Sequence, residues 1–102
     1  KGLQKRDFIY VEDVCKIIKD YLEVEKKLKN INFFSNIETS VVEICKIINN
    51  ISVNNSKIIY QTPPAGLITK IGKVKKINNH NYNYTLLNIG IKKTFEWYKK
   101  LK

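Results

Sequence analysis

The chain has 102 residues, of which 43% are hydrophobic and 27% charged, and its formal net charge is +10. This composition is ordinary for one globular domain, here residues 1–102, and is too apolar for a disordered chain. No apolar run approaches the length of a transmembrane helix and no apolar signal region follows Lys1, so we expect a cytoplasmic protein without a membrane partner.

The positive charge comes almost wholly from lysine, with 19 Lys and Arg against 9 Asp and Glu. A basic balance is one feature of nucleic-acid-binding proteins. The lysines are nevertheless scattered along the chain, and Ile and Asn are abundant too, which favours a compositional bias of the source and solvated lysine faces. A nucleic-acid partner is therefore not expected.

The first predicted elements lie within residues 6–13. Phe8, Ile9 and Tyr10 are β-formers and predict a short strand, whereas Glu12 and Asp13 place negative charge in the first turn of a helix that begins at Val11. The helix is expected to run to about Val24, because apolar residues recur at helical spacing. Its predicted buried face, with Ile17 beside it, consists of Val11, Val14, Cys15, Ile18, Tyr21 and Leu22.

Arg6 stands directly before this strand. An arginine there can offer its planar guanidinium to a phosphate or a carboxylate. The alternative is a surface ion pair between Arg6 and Asp7, which would contribute little to stability.

The middle of the chain predicts a second strand–helix unit. A polar connector over 25–30 leads to a short strand over 31–34 and a turn over 35–39. Ser40 and Glu43 have the spacing of a capping box and predict a second helix, which is expected to end at Asn49-Asn50. A strand is predicted over 57–61, and prolines then break regular structure over 63–66.

Two helices are predicted in the last third of the chain. The first is short and includes Val74 and Ile77. The second has Thr85 as its N-cap and an apolar face that consists of Leu87, Ile91, Phe95, Tyr98 and Leu101. Gly90 inside this helix costs about 1 kcal/mol relative to alanine, which predicts close backbone packing at that point.

The cysteines do not indicate a special site. Cys15 and Cys45 lie far apart in sequence among apolar helix positions, which predicts small buried side chains in a reducing compartment. Neither belongs to a metal motif, and His80 stands alone among asparagines.

The octet Arg6-Asp7-Phe8-Ile9-Tyr10-Val11-Glu12-Asp13 resembles a signature of the NAD-dependent sugar-nucleotide epimerases and dehydratases, which are extended short-chain dehydrogenases/reductases. Similar segments follow in the order of that family's C-terminal part. They are Asn32-Phe33-Phe34-Ser35, Ser40-Val41-Val42-Glu43, Pro64-Ala65-Gly66 with Lys70, and the run from Gly90 to Tyr98. The spacing from Pro64 to Lys70 is similar to that of the GDP-sugar branch, which includes GDP-fucose synthase.

Two motifs of the family's catalytic half are missing or out of place. The chain has no Gly-x-x-Gly-x-x-Gly turn, and its one Tyr-x-x-x-Lys spacing, from Tyr98 to Lys102, lies at the end of the last predicted helix. The resemblance therefore implies an α/β fold that is the C-terminal substrate-binding portion of such an enzyme, with short strands, about four helices and no Rossmann core.

The resemblance also implies cofactors and partners. This portion alone would bind no cofactor, and the full enzyme would use NAD or NADP. The expected partners are a nucleotide-sugar and the N-terminal Rossmann domain of the same enzyme, and an isolated portion is expected to self-associate through the apolar surface that this domain would cover.

The resemblance assigns work to three residues. Arg6 would contact the nucleotide diphosphate, Asn32 would lie near the substrate phosphates, and Lys70 would approach the sugar nucleotide. The alternatives are an edge-strand asparagine bonded to backbone or water for Asn32 and a solvated lysine for Lys70. Departures from the family pattern are Phe34, Thr69 and Lys73, where glycine, arginine and aspartate are usual.

A second interpretation stays open beside this one. The chain would then be a free-standing, non-catalytic basic module that binds a nucleotide, a nucleic acid or a protein partner.

Overall fold

The computed structural model describes residues 2–23, 34–62 and 82–102. These residues form a small α/β arrangement of three helices and a two-stranded antiparallel sheet. The elements in chain order are β1 (Lys5–Asp7), α1 (Val11–Glu23), β2 (Glu38–Ser40), α2 (Val41–Ser52) and α3 (Leu87–Lys100). The predicted α/β class is confirmed. The strand predicted over 31–34 falls mainly outside the described residues, and so does the short helix predicted around Val74 and Ile77.

The first strand lies earlier in the chain than predicted, over Lys5–Asp7 rather than over 8–10. β1 pairs with β2 in the register Lys5 with Ser40, Arg6 with Thr39 and Asp7 with Glu38. The strand predicted over 8–10 is wrong, because the Tyr10 carbonyl already accepts a helix-type hydrogen bond of 3.0 Å from the Asp13 N–H. The turn predicted over 35–39 is likewise wrong at its end, where β2 begins.

Helix α1 begins at Val11 as predicted, but a different side of it is buried. Ile17 is 2% exposed and Asp13 is 7% exposed. Most of the predicted buried face instead faces solvent as an exposed row that we name the α1 stripe, which consists of Val11, Cys15, Ile18 and Leu22. Apolar residues occur on both sides of α1, so their spacing alone does not select the buried side.

Helix α2 begins with the predicted capping box. The Glu43 N–H donates to Ser40 Oγ over 3.3 Å, and the Ser40 N–H donates to Glu43 Oε2 over 2.7 Å. The next N–H group, that of Val41, donates to the Gln4 carbonyl over 3.0 Å, so the segment before β1 satisfies a second donor at the helix start.

The predicted end of α2 at Asn49-Asn50 is wrong, because the helix continues to Ser52. The Asn49 side chain donates to the Ser56 carbonyl over 2.8 Å and so serves the segment that follows the helix. The chain leaves α2 at Val53, whose φ of 56° is in the left-handed region that usually favours glycine.

The strand predicted over 57–61 is also wrong, since these residues have no regular secondary structure. Tyr60 instead packs against Gly2, whose φ is +72° and where a β-carbon would lie 3.1 Å from Tyr60 Cε1. In this segment, the Tyr60 side chain contacts Gly2, and no strand pairing occurs over 57–61.

Helix α3 packs against α2 and begins at Leu87. The Thr85 N-cap is wrong, because Leu86 occupies the cap position without a side-chain hydrogen bond and Thr85 bonds Asp13 instead. The close packing predicted at Gly90 is confirmed: a β-carbon there would be 3.1 Å from Tyr10 Cβ.

Two further expectations concern cysteines and membranes. Cys15 is exposed and Cys45 is half-buried, so the prediction that both are buried is wrong. Within residues 2–23, 34–62 and 82–102, no helix has the length and apolar character required to cross a bilayer.

Candidate functional site

Arg6 is the one predicted site residue that the structure describes. It lies in the middle of β1 opposite Thr39 and is half-buried. Its Nη1 donates a 2.8 Å hydrogen bond to the Lys5 carbonyl, which restrains one edge of the guanidinium. The remaining N–H groups of this fork are the ones that a phosphate could use.

The neighbouring Asp7 is occupied by a different contact. Its carboxylate accepts hydrogen bonds from Ser35 Oγ and, over 3.0 Å, from the Asn36 N–H. The ion pairs found among the described residues do not include one between Arg6 and Asp7, so the alternative of a surface pair between them is wrong. Asp7 instead anchors the segment before β2 and so fixes the strand that carries Arg6.

Asn32 and Lys70 lie outside the described residues. Their roles beside Arg6 therefore stay predictions.

A second candidate site lies between the beginning of α1 and one face of α3. We name it the α1–α3 groove; its volume is about 490 Å³ and its principal side chains are Tyr10, Glu12, Lys93, Glu96, Trp97 and Lys100. This volume is within the range of about 300–1,000 Å³ that is usual for small-molecule sites.

On the side of the groove that includes Tyr10, Lys93 forms an ion pair with Glu12 and lies close to the Tyr10 ring. Lys93 Nζ lies 3.4 Å from Glu12 Oε2 and 5.4 Å from the centre of the Tyr10 ring. Desolvation raises the pKa of Tyr10, a hydrogen bond with Glu12 and its negative charge act in the same direction, and Lys93 opposes them.

The other side of the groove is aromatic and basic. Trp97 is 60% exposed although tryptophan is usually well covered. Lys93 precedes it by four positions and Lys100 follows it by three, so all three project from the same face of α3. Sequence reasoning missed this site, although the Lys-Trp-Lys spacing within the last helix was a signal that could have revealed it.

The groove combines aromatic, cationic and anionic side chains. It offers an aromatic surface with ammonium groups on either side and two carboxylates, Glu12 and Glu96. In the described part of the chain, no cluster of three His, Cys, Asp or Glu side chains could hold a metal ion.

Comparisons with known proteins add no assignment. No family model, no curated protein and no solved structure matches this chain.

Proposed function

We propose that the chain is the substrate-binding C-terminal portion of an NAD(P)-dependent nucleotide-sugar epimerase or dehydratase. The observation that carries the proposal is the octet from Arg6 to Asp13, which resembles the family signature at every position. The further segments that follow in the family's order support it.

The local structure around Arg6 is compatible with this role. A guanidinium needs a fixed direction to make two parallel hydrogen bonds to a phosphate. Arg6 is carried by a paired strand, its Nη1 is bonded to the Lys5 carbonyl, and the adjacent Asp7 is tied to Asn36. These contacts restrict where the fork can point before any ligand arrives.

The proposal divides labour between two domains. The N-terminal Rossmann domain would hold NAD or NADP and supply the catalytic residues, while this portion would hold the nucleotide-sugar through Arg6, Asn32 and Lys70. The 102-residue chain alone is then expected neither to retain the cofactor nor to convert a nucleotide-sugar. Turnover by the purified chain would overturn this division.

The first test is the coding sequence upstream of Lys1. A glycine-rich turn between a strand and a helix, followed by a Tyr-x-x-x-Lys pair, is the expected result. A reading frame that lacks both would overturn the proposal.

The second test is substitution of Arg6 in the protein encoded by the whole reading frame. A hydrogen bond to a charged group contributes about 1.5–3 kcal/mol, so Arg6→Ala should weaken nucleotide-sugar binding about tenfold or more and leave nicotinamide cofactor binding unchanged. Arg6→Lys should restore only part of the affinity, because an ammonium keeps the charge but loses the bidentate geometry.

Lys5→Ala is the matched control, since it removes one positive charge from the neighbouring position and leaves the Lys5 carbonyl in place. Calorimetric titration with nucleotide-sugar and with cofactor separates the outcomes. Equal losses of affinity for both ligands would mean that Arg6 has a structural role. A loss of affinity in Lys5→Ala as large as that in Arg6→Ala would mean that Arg6 acts only through its positive charge.

A further inference from the structure

The α1–α3 groove combines two features that bind nucleotides. One is the exposed indole of Trp97, on which any planar base can stack. The other is the pair of ammonium groups of Lys93 and Lys100, one helical turn to either side of the indole. The two lysines are therefore placed to contact phosphates on either side of a stacked base.

We propose that this groove binds a nucleotide unit with an unpaired base, the base stacked on Trp97 and its phosphates at Lys93 and Lys100. The site does not include Arg6, which is not among the residues that line the groove. It is therefore separate from the nucleotide-sugar site proposed above, and its occupant would be a single strand of nucleic acid, for which a mononucleotide is a weakly binding probe.

The position of Lys93 supports this assignment. Glu12 Oε2 is 3.4 Å from its Nζ, and the ammonium lies 5.4 Å from the centre of the Tyr10 ring. These contacts hold the side chain at the groove while about half of it stays exposed, at 52%. An ammonium has three donors, so Lys93 can bind a phosphate oxygen and keep its contact with Glu12.

The charges in the groove limit the affinity. Glu12 and Glu96 offset the two lysines locally, whereas the net charge of the whole chain is +10. The surrounding lysines would draw a polyanion towards the surface, and the groove would then select an unpaired base. A single strand should therefore bind more tightly than a mononucleotide, and Glu96 should weaken both.

The first experiment uses the fluorescence of Trp97, the chain's only tryptophan. Titration with UMP and with a twelve-residue oligothymidylate should quench its emission, the oligonucleotide at the lower concentration. A duplex of the same length should bind more weakly than the single strand, because its bases are already stacked. Absence of quenching by both ligands, or a duplex that binds as tightly as the single strand, would overturn the proposal.

The second experiment measures anisotropy of the labelled oligonucleotide with substituted chains. Trp97→Ala should weaken binding about tenfold or more, and Lys100→Gln about threefold or more. Glu96→Gln should tighten binding about two- to fivefold, because it removes a negative charge from the groove. A general loss of folding cannot produce this gain.

Lys57→Gln is the matched control, since Lys57 is exposed and does not line the groove. Equal weakening by Lys57→Gln and Lys100→Gln would mean unspecific attraction and overturn the site. Loss of nucleotide binding in Arg6→Ala but not in Trp97→Ala would also overturn it, and would leave the proposed function at Arg6 standing.

Discussion

The carboxylate of Asp13 in α1 accepts two hydrogen bonds from Thr85, one of 2.7 Å from the backbone N–H and one of 2.8 Å from Oγ1. Asp13 is among the few buried polar residues of the described chain, and Thr85 lies just before α3. This contact joins the first helix to the last across 72 positions of sequence. It therefore fixes how the chain enters α3.

We expect Asp13→Ala to lower the free energy of unfolding by about 3 kcal/mol, because it removes two charge-assisted hydrogen bonds and leaves the Thr85 N–H without its acceptor. Thr85→Val should cost less, about 1–2 kcal/mol, since it removes only the hydroxyl bond. Urea denaturation measures both. Glu38→Gln is the control, because Glu38 is exposed and lies outside this contact, so the loss of its charge should change stability by less than about 0.5 kcal/mol. Equal effects of Asp13→Ala and Glu38→Gln would contradict the prediction.

The contact between Gly90 in α3 and Tyr10, which directly precedes α1, provides a second test of how these parts of the chain pack together. In an open helix, Gly90→Ala would stabilise by about 1 kcal/mol. A β-carbon at position 90 would lie 3.1 Å from Tyr10 Cβ and 3.3 Å from its Cγ, so Tyr10 would have to shift by a few tenths of an ångström. We therefore expect Gly90→Ala to destabilise the wild-type chain by about 1 kcal/mol.

The double-mutant cycle with Tyr10→Gly isolates this contact. This substitution removes both the ring of Tyr10 and the Cβ that would lie 3.1 Å from the new β-carbon, so Gly90→Ala should become less destabilising or favourable in that background. Asn88→Ala, at an exposed site in the same helix, controls for helix propensity. An identical effect of Gly90→Ala in both backgrounds would show that Tyr10 does not limit the site.

Signals that depend on a few neighbouring residues were predictive. The acidic first turn located the start of α1, and the Ser40–Glu43 spacing located the start of α2, because both concern hydrogen-bond donors of the adjacent helix turn. Gly90 correctly indicated a close approach, although nothing in the sequence specified Tyr10 as the partner.

Features that depend on distant residues were not predictable in this way. The first strand includes Arg6, which pairs with Thr39, rather than the β-forming residues 8–10. Thr85 donates its hydroxyl hydrogen bond to Asp13 and therefore does not cap α3. Asp13, which makes this contact with Thr85, lies on the buried side of α1, and the α1 stripe is exposed to solvent. The groove at Trp97 likewise requires two helices to meet, so no single run of residues defines it.

The capping box of α2 makes stability depend on pH. Hydrogen bonds from Ser40 lower the pKa of Glu43 below its ordinary 4.5, and the charges of Lys5 and Lys46 add to this effect. A carboxylate with a lowered pKa in the folded state stabilises above its ordinary pKa, and the contribution is lost as pH falls through the lowered value.

We therefore expect the wild-type chain to be more stable than Glu43→Gln at neutral pH and to lose that difference as the pH falls below about 4.5. Thermal unfolding of both chains between neutral and acidic pH measures the difference. Ser40→Ala should cost about 1 kcal/mol at neutral pH and should reduce the pH dependence that Glu43 contributes. Glu38→Gln removes an exposed carboxylate outside the cap and is the control; a pH-independent gap between wild type and Glu43→Gln would contradict the account.

The α1 stripe is the basis for a prediction about association. Its four members lie on one side of a 13-residue helix and are exposed. Under the proposed function, the N-terminal domain would cover this stripe in the whole enzyme. In the isolated chain the apolar surface would face water, and α1 carries more acidic than basic residues in a chain of net charge +10. Two copies should therefore repel each other least at this surface.

We expect the isolated chain to self-associate through the α1 stripe, and to do so more strongly at higher salt, because screening weakens the repulsion between two basic copies while apolar contact persists. Ile18→Lys should weaken association about tenfold or more without unfolding the monomer, since Ile18 is already 46% exposed. Ile59→Lys is the matched control, because Ile59 is 77% exposed and lies outside the stripe. Sedimentation velocity over a wide concentration range measures the association. A monomer at every protein and salt concentration, or equal effects of Ile18→Lys and Ile59→Lys, would show that the stripe does not drive association.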